Sequence, residues 1–218
     1  MANEWFRNKT WSEAIAVDFE NQLQQGDAGF RMTALKIQGE NWLSNRDVDT
    51  QQAGIRLFEK LLTEYAHEIY EVATVQDMLG EYYYKLADFE RAEIYLLPVL
   101  QFYKEHKRIG VVRRADLILA EIILLRNTTE RLEEAYQLIH NYPNTDGSLS
   151  WDYEEHYYYE LLAHVCYRLG KKEEAAGCAQ KAIGVAETMD FDLMITKPPA
   201  IENYYQQLPS LAEILLGH

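Results

Sequence analysis

The chain is poor in residues that interrupt or staple a fold. Its 218 residues include only 5 prolines, 11 glycines and 2 cysteines. Two cysteines, Cys166 and Cys178, make no disulfide framework, and we expect them as small buried apolar side chains. The Val/Ile/Thr alternation of strands is also missing, so no strand is expected. No run of 18 apolar residues occurs, which excludes a hydrophobic membrane-spanning helix. The opening residues, Met1 to Arg7, lack the apolar core of a secretory leader, and a cytoplasmic protein is expected. Basic residues are scarce: 21 Lys and Arg stand against 35 Asp and Glu, a formal charge of −14. So acidic a surface repels phosphates and anionic lipid, which argues against nucleic acid and membrane as main partners.

Signatures of catalysis are missing too. Gly26 to Gly29 is too short for a phosphate loop and lacks its lysine. No Gly-x-Ser-x-Gly, His-Glu-x-x-His or Cys-x-x-Cys is present. His156, Glu160 and His164 share one helix face at i, i+4 and i+8, which raises a metal-dependent enzyme as a remote alternative. The outer pair spans ~12 Å, so only neighbours could share an ion. His164 and Cys166 point in different directions on a helix and do not make a thiol–imidazole pair. We expect no enzyme activity, no cofactor and no metal.

What is present is helical periodicity. Ile55, Phe58, Leu61, Leu62 and Tyr65 recur at three- and four-residue spacing, as do Leu117, Ala120, Ile123 and Leu124. The breakers divide the chain into helices near 12–25 (with Ser12 as N-cap), 31–43, 50–65 (capped by Thr50), 70–86, 88–105, 111–126, 129–140, 152–169, 172–188 and 200–216. Pro98 falls inside one of them, where a kink is expected. Residues 143–148 read as the longest turn and residues 190–199 as a linker. Tyr82-Tyr83-Tyr84 and Tyr157-Tyr158-Tyr159 are runs of aromatics, and each step along a helix turns 100°, so one member of each should be more exposed.

Leu79, Gly80, Tyr83, Ala92, Leu96 and Val99 place small and large residues where two crossing helices need them. Leu162, Ala163, Cys166, Gly170, Ala175, Ala179 and Ala182 repeat the pattern. Ile122, Ile123, Ala135 and Ile139 follow it loosely, and a first pair is weakest, with Trp42 at the small position and Gly54 opening its second helix. This pattern resembles the tetratricopeptide repeat, a two-helix unit of ~34 residues. Ala92 to Ala135 is 43 residues and Ala135 to Ala175 is 40, so the units here are longer. Such lengthened repeats look like those of bacterial peptide-sensing regulators, although no basic DNA-binding helix precedes them. The segment Trp5 to Trp11 is similar to the start of some uncharacterised bacterial repeat proteins.

The resemblance implies an all-α, right-handed solenoid in one domain of 1–218. An N-terminal helix (1–29) would precede about four helix pairs (30–190), and a C-terminal capping helix (199–218) would follow. It further implies a non-catalytic scaffold or adaptor that binds a protein or peptide in its concave groove. A peptide-responsive regulator or an immunity-type inhibitor is the alternative. Carried onto this chain, the groove stripe selects Asp77, Glu81, Tyr84 and Lys85 on one helix and Tyr157, Glu160, His164, Tyr167 and Arg168 on another. Its third member offers Ala120, Leu124, Asn127 and Thr128. The lining is mixed and partly acidic, so a ligand with basic and aromatic or apolar groups suits it. Self-association stays open.

Overall fold

A computed structural model describes residues 5–106, 114–142, 149, 151–189 and 197–217. Among them every regular element is helical. The expected turn at 143–148, the start of a helix at 111–113 and most of the linker at 190–199 lie outside the described residues. No described helix is long and apolar enough to cross a membrane. The chain folds as two compact units, Met1–Tyr82 and Tyr83–His218.

The first unit begins with α1 (Glu13–Leu23), α2 (Ala28–Leu43) and α3 (Val48–Glu64), and takes in α4 (Ile69–Lys85) as far as Tyr82. Short polar side chains start its helices by accepting an otherwise orphaned backbone N–H. Ser12 does so for Ile15 and Asp27 for Phe30. Asp27 sets the start of α2 at Ala28, three residues before the expected Arg31. Asp47, not Thr50, caps α3: its carboxylate accepts from the Thr50 N–H and the Thr50 hydroxyl (2.8 and 2.7 Å).

The small residue of the α2–α3 crossing is Gly39, one turn before Trp42. Gly54 lies inside α3 against it. A Cβ on Gly54 would sit 2.8 Å from the Leu43 nitrogen and 2.9 Å from the Gly39 carbonyl oxygen, so two backbones touch here. Trp42 is instead a large buried residue whose indole N–H donates to the Thr10 carbonyl (3.2 Å). We expect Gly54→Ala to cost about 1–3 kcal/mol, because backbone cannot rotate out of the way. Thermal unfolding checks it, and an unchanged transition would mean that the helices cross elsewhere. The segment Trp5 to Trp11 is strapped to this unit. Buried Gln38 accepts from the Asn8 N–H (2.9 Å) and donates to the Asn8 carbonyl (2.7 Å), while Trp5 packs on Phe19 and Phe30.

The second unit holds the end of α4, then α5 (Phe89–Glu105), α6 (Ala115–Leu125), α7 (Leu132–Asn141), α8 (Asp152–Arg168), α9 (Lys172–Thr188), α10 (Pro199–Tyr205) and α11 (Leu211–Leu216). α6 packs on α7 and α8 on α9, and α11 lies against α8 and α9. α5 runs through Pro98. The single terminal helix expected at 200–216 is two: the chain turns after α10, passes Pro209, and α11 restarts at a Ser210–Glu213 capping box.

Three turns in this unit share one backbone design. α4, α6 and α8 each end in a residue with positive φ: Ala87 (56°), Asn127 (56°) and Gly170 (73°). The next N–H reaches back to the carbonyl five residues earlier: Asp88 to Tyr83 (3.0 Å), Thr128 to Ile123 (3.3 Å) and Lys171 to Cys166 (2.9 Å). These are Schellman closures, and they recur as an internal structural repeat. Ala92, Ala135 and Ala175 follow them, all fully buried. The longer interval from Ala92 to Ala135 has a visible source: a 3-10 turn at Thr129–Arg131 precedes α7 and has no counterpart before α5 or α9.

Candidate functional site

α6 is buried along its whole length, yet it carries Glu121 at 0% exposure. A carboxylate taken out of water needs donors around it. The hydroxyls of Tyr157 on α8 and Tyr205 at the end of α10 both donate to it, and that of Tyr84 on α4 is hydrogen-bonded to it as well. Burial, then the charge of Glu121, pushes all three phenols well above their ordinary range, so they remain donors. The Arg114 guanidinium lies 5.4 Å from the centre of the Tyr157 ring and brings positive charge to the cluster.

A second carboxylate stands one turn along α8 from Tyr157. Glu160 accepts from Lys197 Nζ at 2.6 Å. Burial would raise the Glu160 carboxyl, but the Lys197 ammonium and its hydrogen bond outweigh this and lower it. The same ammonium sits 3.6 Å from the centre of the Tyr205 ring and 5.7 Å from that of Tyr157. His164, a further turn along, is 4% exposed, with its ring 6.2 Å from that of Tyr205. Its Nδ1 has no hydrogen-bond partner among the described residues. Burial brings its pKa down to about 4, with Glu160 opposing and Lys197 assisting, so the imidazole is neutral at neutral pH.

Of the residues expected to line a groove, Tyr84, Tyr157, Glu160 and His164 are brought together. They do not line an open groove, however. The chain's own Lys197 and Tyr205 lie on them. Tyr167 and Arg168 are half-buried and border a different pocket of about 340 Å³ that Ile214 and Gly217 of the α11 end complete. Lys85 is exposed at the last turn of α4. Asp77, at 1% exposure, and half-buried Glu81 belong to the first unit. Ala120 and Leu124 are core.

The hub was not legible by register. Glu121 is offset by one from Ala120, the position the stripe selected, and Arg114, Lys197 and Tyr205 lie outside it altogether. The available signal was a lone glutamate in the otherwise apolar stretch from Leu117 to Leu125.

The tyrosine runs also behave unevenly. Tyr82, Tyr83 and Tyr84 are all buried, and no member stands clearly apart as the more exposed one expected. Each finds a separate neighbour: Tyr82 donates to Gln51 (3.2 Å), Tyr83 stacks on Tyr95 (5.7 Å) beneath Arg91, and Tyr84 joins Glu121. In the second run Tyr159 is the more exposed member, covered by Lys181.

His156 donates from Nδ1 to the Ala182 carbonyl (2.9 Å). No three His, Cys, Asp or Glu side chains converge as a metal site among the described residues. Both cysteines are buried, and burial, aided by the Glu174 charge, pushes Cys166 up to about 12 and Cys178 up to about 11. Neither is a thiolate at neutral pH. Set beside known protein families, curated proteins and solved structures, the chain has no match in any of the three.

Proposed function

We propose that this is a non-catalytic helical-repeat protein that binds protein or peptide segments through the acidic, tyrosine-lined face of α6 and α8. On this reading the helix pairs are tetratricopeptide-like repeats wound as a right-handed solenoid with terminal helices as caps, and the protein works as a cytoplasmic scaffold or adaptor. One observation carries it. Glu121, Tyr157 and Glu160 already hold a separate stretch of chain, and they hold it by side chains alone: an ammonium on one carboxylate and a phenol on the other. That is the chemistry of a surface for basic, aromatic segments. The recurrent Schellman turns support the repeat. The held C-terminal stretch lends weight to the alternative of a peptide-responsive regulator, which uses the same site and adds a change of shape on binding.

The test is a tiled peptide array probed with the full chain. Segments carrying Lys or Arg with Tyr should be retained, acidic segments should not, and high salt should weaken retention by screening the charges. Retention that ignores peptide charge, or none at all, would set the reading aside.

A further inference from the structure

The stretch that covers the site is lightly built. α10 has seven residues, enters through Pro198 and Pro199 without a side-chain cap, and buries only Ile201. Its polar hold on α6 and α8 is made by Lys197 on Glu160 and Tyr205 on Glu121, while Tyr204 packs on Phe89 of α5. Beside Tyr205, Nδ1 of buried His164 has no hydrogen-bond partner among the described residues. Glu160 is paired with Lys197, and His164 beside it is neutral. Removing the lysine leaves a buried carboxylate in need of a cation.

We propose that residues 197–205 are an internal stand-in for the partner. The site takes a partner protein segment that stacks a lysine or arginine on a tyrosine, and this segment displaces the chain's own. The inference rests on the reading of this face as a peptide-binding surface and adds the occupant's chemistry and the competition. The partner's cation takes the place of Lys197 on Glu160. Its phenol takes that of Tyr205 on Glu121. Its backbone offers a hydrogen bond to Nδ1 of His164. Tethering gives the internal segment a high effective concentration, so it lowers the apparent affinity for any outside segment by the fraction of time it is bound.

The probe is a fluorescent synthetic peptide of residues 197–209, added to the full-length chain and followed by anisotropy. The wild type should bind it weakly. The double variant Lys197→Ala/Tyr205→Phe should bind it on the order of tenfold more tightly, because the competitor is weakened while the site is intact. A peptide carrying the same two substitutions should show no gain. Tyr205→Phe alone removes one hydroxyl and should give a smaller gain in the same direction, which keeps the test decisive if the double variant does not fold. Equal binding by wild type and folded variants would overturn the proposal. Retention of basic, tyrosine-bearing array peptides would in that case still uphold peptide binding, so the two failures are separable.

Discussion

Glu121→Ala is expected to destabilise the second unit by about 3–5 kcal/mol, the range found when one member of a buried charged network is removed. Two effects add. The hydroxyls of Tyr157, Tyr205 and Tyr84 lose their common acceptor inside the protein, and each buried polar group left unmet costs about 1–3 kcal/mol. The truncated side chain leaves a cavity in a helix with no exposed residue. Glu121→Gln should fall between, since its amide oxygen still accepts while its NH2 group meets donors. Urea unfolding followed by far-UV circular dichroism measures this, and a midpoint equal to that of the wild type for Glu121→Ala would show that the phenols do not depend on the carboxylate.

Acid should also weaken the fold, and His164 should be responsible for most of it above pH 5. Its folded pKa of about 4 lies below the ordinary 6.5. Between those values the unfolded chain binds a proton that the folded chain refuses, so stability is full above 6.5 and is lost as pH falls towards 4. The full span amounts to about 3 kcal/mol and the loss by pH 5 to about 2 kcal/mol. Two carboxylates of α8 titrate with shifts of their own. Glu160, held below its ordinary 4.5 by Lys197, adds a loss of the same sign once the pH falls beneath 4.5. Glu154, raised by burial, acts the opposite way, being favourable when protonated. Comparing wild type with His164→Asn cancels both. The wild type should lose about 2 kcal/mol more than the variant between pH 7 and pH 5 in urea titrations. Parallel losses would mean that the imidazole is solvated in the folded state.

The helices were legible because their causes are local. Ser12, Asp88 and Gly170 act within a few residues of themselves, and α9 falls at the expected Lys172 and Thr188. Where two local causes competed, the sequence misled: Thr50 and Asp47 can both cap, and the aspartate's carboxylate accepts two hydrogen bonds from Thr50. The stripe carried over from the repeat resemblance took in Tyr84 on one helix and Tyr157, Glu160 and His164 on another. It could not show that Lys197 and Tyr205 of the same chain lie on them. Tyr205 meets Glu121 across 84 residues, and no spacing rule reaches so far. The small position of the first pair was misplaced for a related reason. Gly39 announces itself only through the ring of Phe58 and the backbone of α3 against it, which belong to packing and not to pattern.

The placement of the tryptophans gives the two units different optical signatures. Three of the four, Trp5, Trp11 and Trp42, belong to Met1–Tyr82, and Trp42 is 1% exposed. The fourth, Trp151, is 62% exposed in the folded chain, so its emission is already that of an indole in water. A shift of indole fluorescence on unfolding therefore reports almost entirely on the first unit. Far-UV ellipticity reports on both. Superimposable curves from the two probes mean a single cooperative transition, and curves that separate give each unit a stability of its own.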